Sequence, residues 1–222
     1  MCDNIAHDLR TPLTRLRAQL YRIKQEAEAE SDYAVKLDDA IAETDTLMAR
    51  FRGLLRISEL EDHQRRSGFL VMDPLPLLRE LHDFYLPLAE EGELQLRLET
   101  PESLPWITGD RALLFEALAN LLSNSIKFSP PGGEVILRGV NDAGSTRIEV
   151  HDSGPGIPAA ERDVVFQRFY RVDESDQQGG FGLGLSIVAA IINLHGFKLE
   201  VGTSEQGGAR LVLECRQQLM PE

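Results

Sequence analysis

His7, Asp8 and Thr11 are the first side chains in this sequence whose types and spacing could do chemistry. A neutral imidazole is a competent nucleophile near neutral pH, because its unperturbed pKa is about 6.5. A carboxylate beside it can accept a hydrogen bond from one ring nitrogen and leave the other free to attack. Thr11 lies one helical turn on, where its hydroxyl can orient a water or a phosphoryl oxygen. Further along, Asn120, Asn124 and Lys127 fall at i, i+4 and i+7, so all three project from one face of a helix. Two amides can hold Mg²⁺ and phosphate oxygens, directly or through water, and the lysine adds a point charge. Asp152 opens the run Asp152-Ser153-Gly154-Pro155-Gly156-Ile157 at the end of an expected strand. Its carboxylate can accept from an exocyclic amine such as that of adenine, and the glycines let backbone approach a flat base.

Two more stretches carry phosphate chemistry. Phe166-Gln167-Arg168-Phe169-Tyr170-Arg171 combines aromatics that can anchor a loop with arginines that can reach triphosphate oxygens. A guanidinium about 4 Å from a phosphate gains roughly 4 kcal/mol at an effective dielectric of 20, before desolvation. Gly179-Gly180-Phe181-Gly182-Leu183-Gly184-Leu185 opens a helix, and exposed amides at a helix start suit phosphate. This run is not the dinucleotide fingerprint, whose third glycine comes one residue later, and no G-x-x-x-x-G-K-[ST] occurs. Taken singly, each stretch has an ordinary alternative: a solvated helix face, a D-x-G turn, or a core segment with surface arginines.

The elements that must position these residues follow from periodicity. Ile5, Leu9, Leu13, Leu16, Leu20 and Ile23 form one helical stripe, so the first helix is expected from 2 to about 28, bent by Pro12. His7 and Asp8 fall off the stripe and face outward. A second helix is expected over 32–61, with Leu37, Ile41, Thr44, Met48, Phe51 and Leu55 on its stripe. Such a hairpin cannot bury both stripes alone. Pairing with a second copy as a four-helix bundle is the expectation, and docking onto the rest of the chain is the alternative.

The run from His63 to Gly68 reads as a linker, with Arg65 to Gly68 as the candidate hinge. Beyond it, strand signals begin at Phe69-Leu70-Val71-Met72, and Asp73-Pro74 starts a helix expected to bury Leu77, Leu78, Leu81, Phe84 and Tyr85. Short strands at 94–98 and 106–108 lead to a helix capped by Asp110 that runs to Phe128. Strands 135–137 and 148–150 read as an antiparallel hairpin. A helix from Leu185 ends at His195-Gly196, and strands 197–201 and 209–215 close a sheet. The fold class is α+β: a helical hairpin over 1–66, then an α/β sandwich over 67–222 with helices on one face of a mostly antiparallel sheet.

The 222 residues, 42% hydrophobic and 27% charged, describe an ordinary globular chain. A net charge of −13 argues against a nucleic-acid partner and against adsorption to an anionic membrane. It does not exclude ATP, because screening leaves local cations to decide phosphate binding. Cys2 and Cys215 stand at opposite ends with no metal or redox spacing, which fits a reducing compartment. No apolar run is long enough to cross a membrane. With a candidate nucleophile at position 7, the expectation is a piece of a longer protein, touching a membrane only through an upstream region.

Ala6-His7-Asp8-Leu9-Arg10-Thr11-Pro12-Leu13 resembles the phosphoacceptor box of the sensor histidine kinases of two-component signalling. The four later stretches resemble the N, G1, F and G2 boxes of that family's catalytic domain, in the family's order. The resemblance runs from Ala6 to about Cys215. It implies a dimerisation and phosphotransfer hairpin followed by a Bergerat-type ATP-binding domain, located in the cytoplasm. It implies that Asn120 and Asn124 hold Mg²⁺, that Lys127 meets phosphate, and that Phe128, where the family often has Tyr, packs on adenine. It further implies that Asp152 reads the adenine amine within a box completed by Gly154, Gly156 and Ile157. Arg168 and Arg171 border the phosphates, and Gly182 and Gly184, with Leu183 and Leu185, hinge a lid.

His7 would take the γ-phosphoryl group with Asp8 as acid/base partner, and pass it to an aspartate on a response regulator receiver domain. Asp8 and Thr11 also match the family's phosphatase pattern. Thr14, Arg17 and Tyr21 are candidate regulator contacts. Two positions depart from the pattern: Asp176, where the family is often basic, and Phe181, where a small residue is usual. Glu116 stands where gyrase-type and chaperone-type relatives keep a general base, and His151 and His195 read as structural. The rival functions are a non-enzymatic phosphotransfer adaptor and an ATP-hydrolysing switch that uses Glu116.

Overall fold

The computed structural model describes residues 13–24, 32–61, 68–172 and 182–215. Helix α1 covers 13–24 and α2 covers Asp32–Glu61. They run antiparallel, held by an ion pair of Arg17 with Asp45 at 2.8 Å and another of Lys24 with Asp38. Strand β1 (Leu70–Met72) pairs with β3 (Ile107–Gly109) as a separate antiparallel ribbon. Helix α3 (Leu75–Glu91) starts where Asp73 Oδ1 accepts the Leu75 N–H at 2.9 Å, with Pro74 at the cap and Pro76 in the first turn. Helix α4 (Arg111–Phe128) starts at Asp110, whose carboxylate accepts from the N–H groups of Ala112 and Leu113.

The main sheet has the order β2-β4-β5-β7-β6: β2 (Gln95–Glu99), β4 (Glu134–Asp142), β5 (Ser145–His151), β6 (Lys198–Thr203) and β7 (Ala209–Cys215). Only β2 and β4 run parallel. Helix α5 (Gly184–His195) stops at Gly196, whose φ of 69° is the left-handed turn that glycine accepts most readily. A 3₁₀ turn covers Ala159–Glu161.

Helices α3, α4 and α5 cover one sheet face. Leu77, Leu78 and Leu81 meet Leu114, Leu118 and Leu121, and beneath them Leu137, Ile148 and Leu213, all fully buried. The other face carries charge, centred on Glu149. Its carboxylate lies 2.7 Å from His151 Nε2, 2.8 Å from the Arg210 guanidinium and 2.9 Å from that of Arg147. His195 is structural as expected. Its Nε2 accepts the Asp110 N–H at 3.0 Å, its Nδ1 donates to the Ile191 carbonyl at 2.7 Å, and Phe69 stacks on the ring at 4.4 Å.

One expectation is corrected, and the alternative of docking is met in part. Phe84 is 66% exposed rather than buried, and its ring meets Tyr85 and Phe115 edge-on at the surface. The hairpin docks in part: near the end of α2, Leu60 joins the sandwich core and Ile57 is buried, where α2 packs on α5. The α1 stripe is covered only in part: Leu13 and Leu20 are half-buried, whereas Leu16 and Ile23 are exposed. Among the described residues no helix is long and apolar enough to cross a membrane. The linker His63 to Ser67 lies outside the described residues.

Candidate functional site

Helix α4 is the spine of the site, and Asp152 marks one end of it. Asp152 follows β5 and is 6% exposed. Its Oδ1 accepts the N–H groups of Gly154 at 3.0 Å and Ala209 at 2.8 Å. Oδ2 is left to one α4 group, the Ser125 hydroxyl, at 3.3 Å. The Asp152 backbone is pinned as well: its N–H donates to the Ala209 carbonyl, and its carbonyl accepts the Ser204 hydroxyl at 2.7 Å. Burial pushes this carboxyl up, opposed by the hydrogen bonds from Ala209, Gly154 and Ser125. The result is a fixed acceptor with one oxygen turned toward α4.

Glycine is required around that carboxylate. A Cβ on Gly208 would lie 2.2 Å from Asp152 Oδ1, and one on Gly154 would lie 3.0 Å from the Phe128 carbonyl. Gly156 has φ +74°, and the carbonyl of the next residue, Ile157, accepts from Arg162 at 3.2 Å. Phe128 is 44% exposed, with Lys127 5.1 Å from its ring centroid.

The amides sit on the same half of α4, within two turns of the Ser125 contact: Asn124 directly precedes Ser125, and Asn120 is one turn earlier. Asn120 Nδ2 donates to the Glu116 carbonyl at 2.8 Å, which leaves its Oδ1 toward α5. A Cβ on Gly184 would lie 3.2 Å from that Oδ1 and 3.7 Å from Asn124 Nδ2. The first turn of α5, from Gly184 and Leu185 onward, therefore faces both asparagines. Gly182 is clamped by the aromatic–arginine run. The Phe169 N–H donates to its carbonyl at 2.8 Å, and a Cβ there would meet the Phe169 and Tyr170 backbones at 2.7 Å.

Phe166 packs on the core and the Tyr170 hydroxyl donates to Glu161 at 2.9 Å, whereas Phe169 is 45% exposed with φ 66°, so one of the three aromatics expected to anchor this loop does not. Arg168 pairs with Glu61 at the end of α2, at 2.5 Å. Arg171 closes the same run. Glu116 is gripped by Arg56 through Nε at 3.0 and 3.2 Å and through a terminal nitrogen at 2.5 Å.

The structure thus brings together Asn120, Asn124, Asp152, Gly154, Gly182 and Gly184 around α4. Ser125, Ser204, Gly208, Arg56 and Glu61 join them without having been singled out from sequence. Only the Gly207-Gly208 pair carried a signal, as a tight connection between two strands. His7, Asp8 and Thr11 lie outside the described residues, as do Asp176 and Phe181. Among the described residues no cluster of three or more His, Cys, Asp or Glu could hold a metal.

Residues 109–219 match a family described as histidine kinase-, DNA gyrase B-, and HSP90-like ATPases. The chain is 34% identical over 216 residues to a signal transduction histidine-protein kinase/phosphatase, MprB of Mycolicibacterium smegmatis, covering 94% of this chain and 42% of that protein. It is 30% identical over 196 residues to the sensor protein IrlS of Burkholderia pseudomallei, covering 87% and 42%. Full-length ShkA, crystallised with AMPPNP, superposes with a TM-score of 0.76 at 26% identity, over 96% of this chain and 45% of ShkA. The chain therefore spans less than half the length of each of these relatives.

Proposed function

We propose that this chain, which belongs to the histidine kinase-, DNA gyrase B- and HSP90-like ATPase family and within it to the sensor histidine kinases, is an ATP-dependent autokinase core. In this reading residues 1–66 form the dimerisation and phosphotransfer hairpin, and 67–222 the ATP-binding domain. The observation that carries it is the alignment along α4. A buried carboxylate, Asp152, turns one oxygen to Ser125 near the C-terminal end of the helix, and the two asparagines of the preceding turns, Asn124 and Asn120, face the first turn of α5.

Asp152 accepts the adenine amine through Oδ2, and Phe128 offers an exposed ring to the base. Lys127, Arg168 and Arg171 neutralise phosphate charge. Asn120 and Asn124 would hold Mg²⁺, which supplies charge neutralisation between phosphate oxygens when bound. The free Asn120 Oδ1 is an oxygen donor of the kind that ion takes. His7 attacks the γ-phosphorus in line: the N–P bond forms, the bond to the departing ADP oxygen breaks, and Asp8 takes the imidazole proton. The phosphoryl group then passes to an aspartate of a response regulator receiver domain, and Asp8 with Thr11 supports its later hydrolytic removal.

A homodimer would cover the exposed Leu16 and Ile23 of the α1 stripe. The names of the relatives and their greater length support a segment of a larger sensor, which this reading places in the cytoplasm, and the net charge of −13 argues against a nucleic-acid partner. The hydrolytic rival is disfavoured, because Arg56 occupies both Glu116 carboxylate oxygens.

The deciding experiment is incubation with γ-labelled ATP and Mg²⁺, alongside His7→Gln. Label that is lost in acid, kept in base and absent from the variant is expected. Label that survives in His7→Gln would overturn the assignment.

A further inference from the structure

We infer that Glu61 stands in for a phosphate: the last residue of α2 holds Arg168 on the hairpin, and nucleotide and hairpin compete for that one guanidinium. The inference rests on the ATP reading above and adds a coupling between its two halves.

The end of α2 meets the site at three of its defining stretches. Gly53 lies against Leu183, between Gly182 and Gly184; a Cβ there would come within 2.5 Å of a Leu183 methyl. Arg56 forks Glu116, one turn before Asn120, and also reaches Glu59 at 3.2 Å. Glu61 pairs with Arg168, next to the Phe169 whose N–H binds the Gly182 carbonyl.

These contacts differ in how readily they exchange. Ile57 and Leu60 are 2% and 1% exposed, and Arg56 and Glu116 are shielded to about 30% exposure, so they set the docking. Arg168 and Glu61 remain 44% and 57% exposed. Water can reach both ends of that pair, so its replacement costs little. A triphosphate carries more negative charge than one carboxylate and offers a guanidinium two oxygens at once. Arg168 can therefore leave Glu61 for nucleotide while Arg56, Ile57 and Leu60 keep α2 in place. Linkage makes the effect reciprocal: whatever factor the hairpin takes from nucleotide affinity, nucleotide takes from the hold on the end of α2. ATP loading would thus loosen the stretch of α2 that connects to the linker.

The test is titration of Mg-AMPPNP into wild type, Glu61→Gln, Arg168→Gln and the double variant, with hydrogen exchange over Gly53–Glu61. Glu61→Gln is expected to bind about two- to fivefold more tightly, the range of an exposed ion pair. That gain should vanish when Arg168 is Gln. Exchange at the end of α2 should rise on AMPPNP addition in wild type and start high in Glu61→Gln. Unchanged affinity in Glu61→Gln, or a gain that persists without Arg168, overturns the competition. Failure of wild type to bind Mg-AMPPNP at all overturns the ATP reading, and this inference with it.

Discussion

The N–H of Ala209 lies 2.8 Å from Oδ1 of Asp152, so the first residue of β7 orients the carboxylate that follows β5. With the Gly154 N–H on the same oxygen, Oδ2 alone is left for an incoming donor. Asp152→Asn is therefore expected to weaken adenine-nucleotide binding by roughly 10- to 100-fold, about 1–3 kcal/mol, since an amide donor would face the adenine amine. Titration calorimetry beside thermal unfolding checks this, because a purely structural Asp152 would lose stability and affinity together. Burial pushes the Asp152 carboxyl above its usual 3.8. Nucleotide affinity should accordingly begin to fall, as pH is lowered, above the pH at which an ordinary aspartate protonates. The sign for folding is opposite: a raised carboxyl favours the folded state below 3.8, and that contribution is lost as pH rises through the folded value.

Glu149 is expected to be the acid-sensitive point of the sheet. Burial alone would push its carboxyl up, but the hydrogen bonds and charges of His151 and Arg210 hold it down at about 2, from 4.5. A depressed carboxylate contributes stability above the unfolded value of 4.5, and that contribution drains away as pH falls toward 2. The shift corresponds to roughly 3 kcal/mol as an upper bound. Glu149→Gln should lose a comparable amount near neutral pH, because Arg138, Arg147, His151 and Arg210 all lose their buried counter-charge. Urea unfolding at several pH values would show it: the gap between wild type and variant should close below about pH 4.

His195→Ala should destabilise by about 2–4 kcal/mol, measured by chemical denaturation. It removes a buried ring stacked on Phe69 and strips the Asp110 N–H of its acceptor where α4 begins. Since α4 carries the asparagines, nucleotide affinity should fall only where unfolding has begun. A loss of affinity in fully folded protein would assign His195 a further role in the site.

The elements were legible in the sequence wherever a local rule governed them. Asp110 caps α4, Gly196 ends α5, and β4 and β5 form the expected hairpin. Phe84 was misread because periodicity records a face and not what covers it. Leu77, Phe84 and Leu88 share a flank of α3 that is buried at Leu77 and open at the other two. The chemical side chains of the site were visible through their types. Their supports were not, because sheet register and docking bring them together. Ala209 reaches Asp152 from 57 residues away. Arg56 and Glu61 read as an ordinary solvated helix face, since nothing in their spacing reveals that α2 turns that face to Glu116 and Arg168.

Gly182 is the position where a single methyl should do the most damage at the phosphate end. Its φ of +67° disfavours any side chain, and an added Cβ would sit 2.7 Å from backbone atoms of Phe169 and Tyr170 that cannot swing aside. Phe169 is itself held at φ 66° by its hydrogen bond to the Gly182 carbonyl, an unfavourable conformation for an exposed aromatic. Gly182→Ala should therefore break the clamp between the arginine run and the start of α5, at a cost of about 1–3 kcal/mol, and lower phosphorylation more than tenfold. Phe169→Gly should instead be neutral or stabilising, because glycine takes that backbone conformation freely while the N–H that makes the clamp is kept. Melting curves and autophosphorylation rates of the two variants separate the effects. If Phe169→Gly loses as much as Gly182→Ala, the aromatic ring rather than the clamp is what the site requires.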